Sequence, residues 1–169
     1  MARTCRRTTD IRIATPIKAK PEQVFHALTS ARELCAWWLE RAETESRNMG
    51  RFRMVWPPGN GRTLPETRGV FVDLEPGSKV AWIIDDRTRP AGLPALVSFF
   101  IEKRGRGSRL TLVHAGFSAA KSQRRLIEKT KEKWEDCLAK LKLYLESGKT
   151  CKTDRLSLPE ADLLIRRGK

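Results

Sequence analysis

The segment from Leu126 to Gly148, LIEKTKEKWEDCLAKLKLYLESG, decides the architecture. Leu126, Ile127, Thr130, Trp134, Leu138, Leu141 and Leu145 recur at the spacing that places side chains on one face of a helix, and Cys137 and Tyr144 widen the stripe. Lys129, Lys131, Lys133, Lys140 and Lys142 interleave with Glu128, Glu132, Glu135 and Asp136 over the remaining surface. Asp136 and Lys140 have the i,i+4 spacing of an ion pair. Gly148 is a helix stop. With its lead-in the helix is expected to run roughly 28 residues, or ~40 Å. A stripe that long has to lie across something equally broad, which a sheet can supply.

The upstream sequence supplies the sheet. Asp10 to Ile17 alternates as a strand, with Ile11, Ile13, Thr15 and Ile17 on one face. Pro21 opens a helix whose apolar side is Val24, Phe25 and Leu28, and Ser30-Ala31-Arg32-Glu33 fits a capping box before Leu34, Trp37 and Trp38. From Asn48 the period becomes two. Phe52, Met54 and Trp56 alternate with Arg51, Arg53 and Val55 before a loop over Pro57-Pro58-Gly59-Asn60-Gly61. Gly69 to Glu75 places Val70, Val72 and Leu74 on one face, and Lys79 to Ile84 places Val80, Trp82 and Ile84. Leu96 to Lys103 and Arg109 to Gly116, joined through Gly105-Arg106-Gly107, are apolar on both faces, as in covered strands.

Five strands on short turns form an antiparallel meander. With the first strand added, the expectation is an α+β protein: a curved, six-stranded antiparallel sheet wrapped around the long helix, with two short helices after the first strand. This domain spans residues 1–148, with 1–9 as a flexible basic arm. Residues 149–169 form a tail in which Ser157-Leu158-Pro159-Glu160 fits a second capping box, and Leu163 and Leu164 give a short helix one apolar side. A curved sheet and one helix leave an interior that large side chains must fill, and any shortfall is an apolar cavity.

Composition narrows the function classes. The 169 residues carry 34 Lys+Arg against 20 Asp+Glu, a net charge of +14. A surplus of +3 falls in each of residues 1–12, 102–109, 118–147 and 148–169, so no block of like charge outlines a groove along the chain. Cys5, Cys35, Cys137 and Cys151 form no C-x-x-C pair and His26 and His114 stand apart, so neither a zinc site nor any other metal site or cofactor is expected. No apolar run reaches the ~20 residues of a membrane span and no secretory leader is visible, so a cytoplasmic protein is expected.

Several phrases, in order, resemble the helix-grip, START-like (SRPBCC) superfamily, and most closely the branch of heat-shock protein 90 ATPase activator homologues. They are residues 19–29 (AKPEQVFHALT), Leu34 to Trp38, Gly50-Arg51-Phe52, residues 69–76 (GVFVDLEP) with Val80-Ala81-Trp82, residues 108–117 (SRLTLVHAGF), and the long helix through Trp134 and Leu141. The chain departs from that pattern at Met49-Gly50, where many relatives have two glycines, and at Lys133-Trp134, where many have Gly-Trp. The resemblance implies a helix-grip fold with a binding role.

Three classes follow. The first is a non-catalytic module whose apolar cavity, lined by Phe52, Trp56, Trp82, Phe99, His114, Trp134 and Leu138, takes a small hydrophobic or lipid-like ligand. The second is a co-chaperone-like protein-interaction module. The third is weak, non-specific polyanion binding, in which the Arg-rich hairpin Lys103-Arg104-Gly105-Arg106-Gly107 joins Arg51, Arg53, Arg124 and Arg125. No catalytic residues are assigned. His114 shares the face of Leu110 and Leu112, but the obvious acids, Asp73, Glu75, Asp85 and Asp86, lie in turns or at solvent-facing positions.

Overall fold

The computed structural model describes residues 6–58 and 64–168. Residues 1–5 of the basic arm and 59–61 of the Pro-Gly loop lie outside the described residues. The chain runs β1 (Thr8–Ile17), α1 (Pro21–Thr29), α2 (Ala31–Trp37), β2 (Arg41–Thr44), β3 (Arg51–Val55), β4 (Glu66–Glu75), β5 (Lys79–Ile84), β6 (Leu96–Arg104), β7 (Gly107–Ser118), α3 (Arg124–Ser147) and α4 (Leu158–Arg167), with a 3₁₀ turn over Lys121–Gln123. The sheet has seven antiparallel strands in the order β1-β7-β6-β5-β4-β3-β2. Strands β2 to β7 form a meander, and β1 returns beside β7. The expected six strands become seven because β2, Arg-Ala-Glu-Thr, has too little apolar alternation to stand out before its partner β3 is known.

The α+β architecture, a wide antiparallel sheet with a long C-terminal helix, agrees with a helix-grip fold. One face of the sheet and helices α1 to α3 share one core, built from Val24, Leu28, Leu34 and Trp37 of the helices, Phe71, Phe99 and Leu112 of the sheet, and Leu138 and Leu141 of α3. Pro21 does stand at the start of α1. The capping box expected at Ser30 is not made: no side chain caps α2, and Glu33 instead accepts a hydrogen bond from Tyr144 Oη at 2.8 Å. The box at Ser157 does form, with Ser157 Oγ accepting from Glu160 N and the Glu160 carboxylate accepting from Ser157 N.

Two bulges set which side chains enter the core. In β4 the register slips between Phe71 and Asp73, so Val72 is an extra residue and Phe71 and Leu74 both point inward. The simple alternation of Val70, Val72 and Leu74 therefore misplaces this strand: Phe71 is fully buried, and Val70 and Val72 are half-buried on the opposite face. In β7 the register slips opposite Asp10, where Gly116 takes φ +94° and its N–H donates to Asp10 Oδ1 at 2.9 Å. His114 and Phe117, three residues apart, consequently both face inward, and both are fully buried.

The other face of the sheet is open, contrary to the covered strands expected from the apolar pattern of β6. Ile83, Leu96 and Phe100 project from it, 43, 41 and 39% exposed. The long helix is 24 residues, shorter than expected because the 3₁₀ turn replaces its first turn. It is buried on two sides in its C-terminal half. Ala139 and Leu143 pack against Leu156, Ala161 and Ile165 of the tail, so α4 lies on the back of α3. Lys140 and Lys142, expected on a solvated surface, are consequently buried.

Candidate functional site

Six of the seven residues predicted to line a cavity belong to the common core or pack against it, and the seventh, His114, is buried against Phe117 and Trp134. Trp82 occupies the centre, 5.1 Å from Phe99, 5.6 Å from Phe52 and 6.5 Å from Trp134 between ring centroids. Trp56 joins through Trp38, 5.3 Å away, which itself lies 6.3 Å from Trp134. Leu138 is fully buried one helical turn below Trp134. Alternation alone leaves out Phe71 and Phe117, which complete this cluster, because the two bulges turn them inward.

His114 is the polar member. Its Nδ1 lies 3.0 Å from Trp134 Nε1 and its Nε2 2.7 Å from the Pro94 carbonyl oxygen. The indole N–H can only donate, so Nδ1 accepts; Nε2 must then carry the hydrogen and donate to Pro94. The neutral ring thereby ties α3, β7 and the loop before β6 together. Burial pushes its pKa below the usual histidine value, opposed by the hydrogen bond to Pro94. A ring with both nitrogens engaged and no acid beside it is a poor general base.

Two surface concavities stand out, and Phe52 is the one side chain of the aromatic core that either of them reaches. The smaller, about 330 Å³, is lined by Ala14, Thr15, Pro16, Arg104, Ser108 and Arg109. The larger is a groove of about 900 Å³ on the open face over β2 to β5, and Phe52 alone of the seven predicted residues reaches it. Strand register explains its form. Arg51, Val70, Ile83 and Leu96 sit opposite one another across β3 to β6, which gives an apolar floor ending in a cation. Glu43, Arg53 and Arg68 form the neighbouring row. Between these rows a Cβ on Gly69 would stand 2.2 Å from the Ile83 carbonyl oxygen and 2.5 Å from Phe52 Cζ, so only glycine fits there.

Arg53 and Arg68 are directly opposed like charges, an unfavourable cross-strand pair by themselves. Glu66 bridges them, 3.0 Å from Arg53 Nη2 and hydrogen-bonded by Arg68 Nε. These two guanidinium groups lower the Glu66 pKa to about 2, so the bridge stays charged at neutral pH. Arg51 and Arg87 also line the groove, and neither makes an ion pair among the described residues. The groove therefore combines apolar side chains, a fixed ionic wall, two arginines without ion pairs among the described residues, and the acids Glu45, paired with Arg47, and Asp85, which accepts from Arg87 N–H.

The family model for Activator of Hsp90 ATPase homolog 1-like protein matches residues 18–146, most of the chain. The chain belongs to this family. Solved structures share its fold. The Aha1 dimer of Colwellia psychrerythraea is similar with a TM-score of 0.67 at 22% identity, over 83% of this chain and 98% of that one. Protein SSP2350 of Staphylococcus saprophyticus has a TM-score of 0.67 at 17% identity, over 86% and 98% of the two chains. CalU16 of Micromonospora echinospora has a TM-score of 0.63 at 17% identity, over 95% and 86%. No curated protein matches the sequence. Among the described residues no helix of this family member is long and apolar enough to cross a membrane, and no three or more His, Cys, Asp or Glu side chains group as metal ligands.

Proposed function

We propose that this protein is a non-catalytic protein-interaction module that receives a segment of an Hsp90-type chaperone in the groove on the open face of its sheet. The groove carries the reading: it offers an apolar floor, Val70 and Ile83, beside Arg51 and Arg87, which make no ion pair among the described residues, with Asp85 as the one unpaired acid of its lining. Such a surface suits an extended polypeptide with aliphatic side chains between acidic ones. The family name supports a chaperone as partner. The close packing of Trp82 against Phe52 and Phe99 supports the sheet surface, rather than a pocket beneath it, as the contact.

The test is the ATPase rate of a purified Hsp90-type chaperone titrated with this protein. Saturable stimulation is expected, with Arg51→Glu and Ile83→Asp each raising the half-saturating concentration at least tenfold while leaving the melting temperature unchanged. Stimulation by both variants equal to that of the unaltered protein would overturn the groove as the contact. Neither stimulation nor binding by the unaltered protein would overturn the partner.

A second reading rests on a different observation. Trp56 and Trp134 are only half-buried, with Leu93 and Leu126 also partly exposed beside the core. A small hydrophobic or lipid-like ligand would part Trp134 from Trp38 and occupy the space framed by Phe52, Trp56, Trp82, Phe99, His114 and Leu138. Oleate is then expected to quench tryptophan fluorescence saturably, and Trp134→Ala to abolish saturation. A linear, non-saturating response from the unaltered protein counts against it.

A further inference from the structure

Charge that is even along the chain becomes local in space. Strand β1 pairs antiparallel with β7, with Thr8 opposite Ser118, and the Arg7 carbonyl accepts a hydrogen bond from Ala119 N at 3.0 Å. This register brings Arg6 and Arg7 beside Lys121, Arg124 and Arg125, which lie more than a hundred residues later. Lys129 follows Arg125 by four positions and extends the same helix face. All six are exposed and none makes an ion pair among the described residues. Of the acids close in sequence, Asp10 accepts from Gly116 N–H and keeps its charge, so with Glu128 two negative charges stand against six positive.

The hairpin arginines do not share this patch. Arg104 ends β6 and Arg106 lies in the turn before β7, whose 12 residues at ~3.3 Å each separate them from Ser118 by on the order of 35 Å. Arg51 and Arg53 are on β3, four strands away from β7. Six cations against two acids leave a net positive charge at one end of the molecule, and an anion array relieves the repulsion among the cations. None of the exposed large hydrophobic side chains, Met49, Ile83, Leu96, Phe100, Leu163 and Leu164, belongs to these segments. Among the described residues the patch thus has no exposed apolar side chain to insert into a bilayer and no exposed ring on which to stack a base.

We infer that this end of the sheet binds the phosphodiester backbone of nucleic acid, without reading its sequence, through Arg6, Arg7, Lys121, Arg124, Arg125 and Lys129. The full-length protein is titrated into a labelled 20-base-pair DNA duplex and followed by fluorescence anisotropy between 50 and 200 mM KCl. Four to six phosphate contacts give a slope of log K against log[salt] of about −4 to −5. Changing Arg6, Arg7, Arg124 and Arg125 together to Gln is expected to flatten the slope by about 3 to 4. Changing Lys103, Arg104, Arg106 and Arg109 together to Gln removes the same charge at the other end of β7 and is expected to change it by less than 1. Circular dichroism confirms that both variants fold. Equal losses in the two variants would mean that net charge, not the patch, binds DNA, and would overturn the inference. So would the absence of salt-dependent binding by the unaltered protein, or tighter binding to phosphatidylserine vesicles than to the duplex at equal salt.

Discussion

His114 shows how one residue gains its role from its surroundings. In the folded protein its ring is neutral, accepts from Trp134 and donates to Pro94. The unfolded chain protonates near pH 6.5, and burial holds the folded value lower. The stability from this ring is therefore complete above about pH 6.5 and declines as acidification carries the pH toward the folded value, because the unfolded state then binds the extra proton. His114→Phe leaves Trp134 Nε1 and the Pro94 carbonyl without these partners, so a loss of about 1–3 kcal/mol is expected at pH 7. Urea unfolding at pH 7 and pH 5 is also expected to show a smaller acid-induced loss for the variant than for the unaltered protein. An equal loss would place the acid sensitivity elsewhere. From the sequence, period two was enough to put His114 on the face of Leu110 and Leu112. Its two partners were not legible, since both lie 20 residues away and meet it only when β6 and α3 pack.

At the scale of elements, legibility followed apolar periodicity. The long helix, α1 and strands β3, β5, β6 and β7 each carry enough repeats to declare their period, and they are present. Strand β2 is short and polar, and the facing of β4 depends on a bulge that no local pattern announces. The second buried side of α3 was hidden for another reason. Its lysines resemble solvated ones until α4 covers them. Lys142 Nζ then lies 3.2 Å from Glu146, 3.4 Å from Asp162 and 2.6 Å from the Pro16 carbonyl oxygen, joining α3, α4 and β1. Glu146 Oε2 is buried and makes no aligned hydrogen bond, so this ion pair stabilises only as a unit. Glu146→Ala is expected to cost about 3 kcal/mol in chemical denaturation, since it leaves a buried ammonium with the half-exposed Asp162 as its one remaining acidic partner among the described residues. The double change Lys142→Met with Glu146→Leu is expected to be within about 1 kcal/mol of the unaltered protein. A single variant as stable as the double one would show that the pair is already screened by water.

At the scale of the whole molecule, β1 closes the fold. It pairs with β7 across about a hundred residues, contributes Ile11 and Ile17 to the core and supplies the carbonyl that Lys142 binds. Removing residues 1–17 should therefore abolish the cooperative thermal transition in calorimetry, because β7 would be left as an edge above an opened core. A truncated chain that still melts in one sharp transition would assign the core to the meander and α3 alone. The sequence by itself determined the class: period-two strands, a long amphipathic helix and the spacing of shared phrases specify an antiparallel sheet with a helix across it, because burial of apolar faces follows from local periodicity. Tertiary structure alone decided the surfaces. The groove exists because rows from four strands come into register around Gly69, and the basic patch because antiparallel closure sets residue 7 beside residue 119. Periodicity is a property of neighbours along the chain, whereas grooves and charge clusters depend on which distant segments the core brings together.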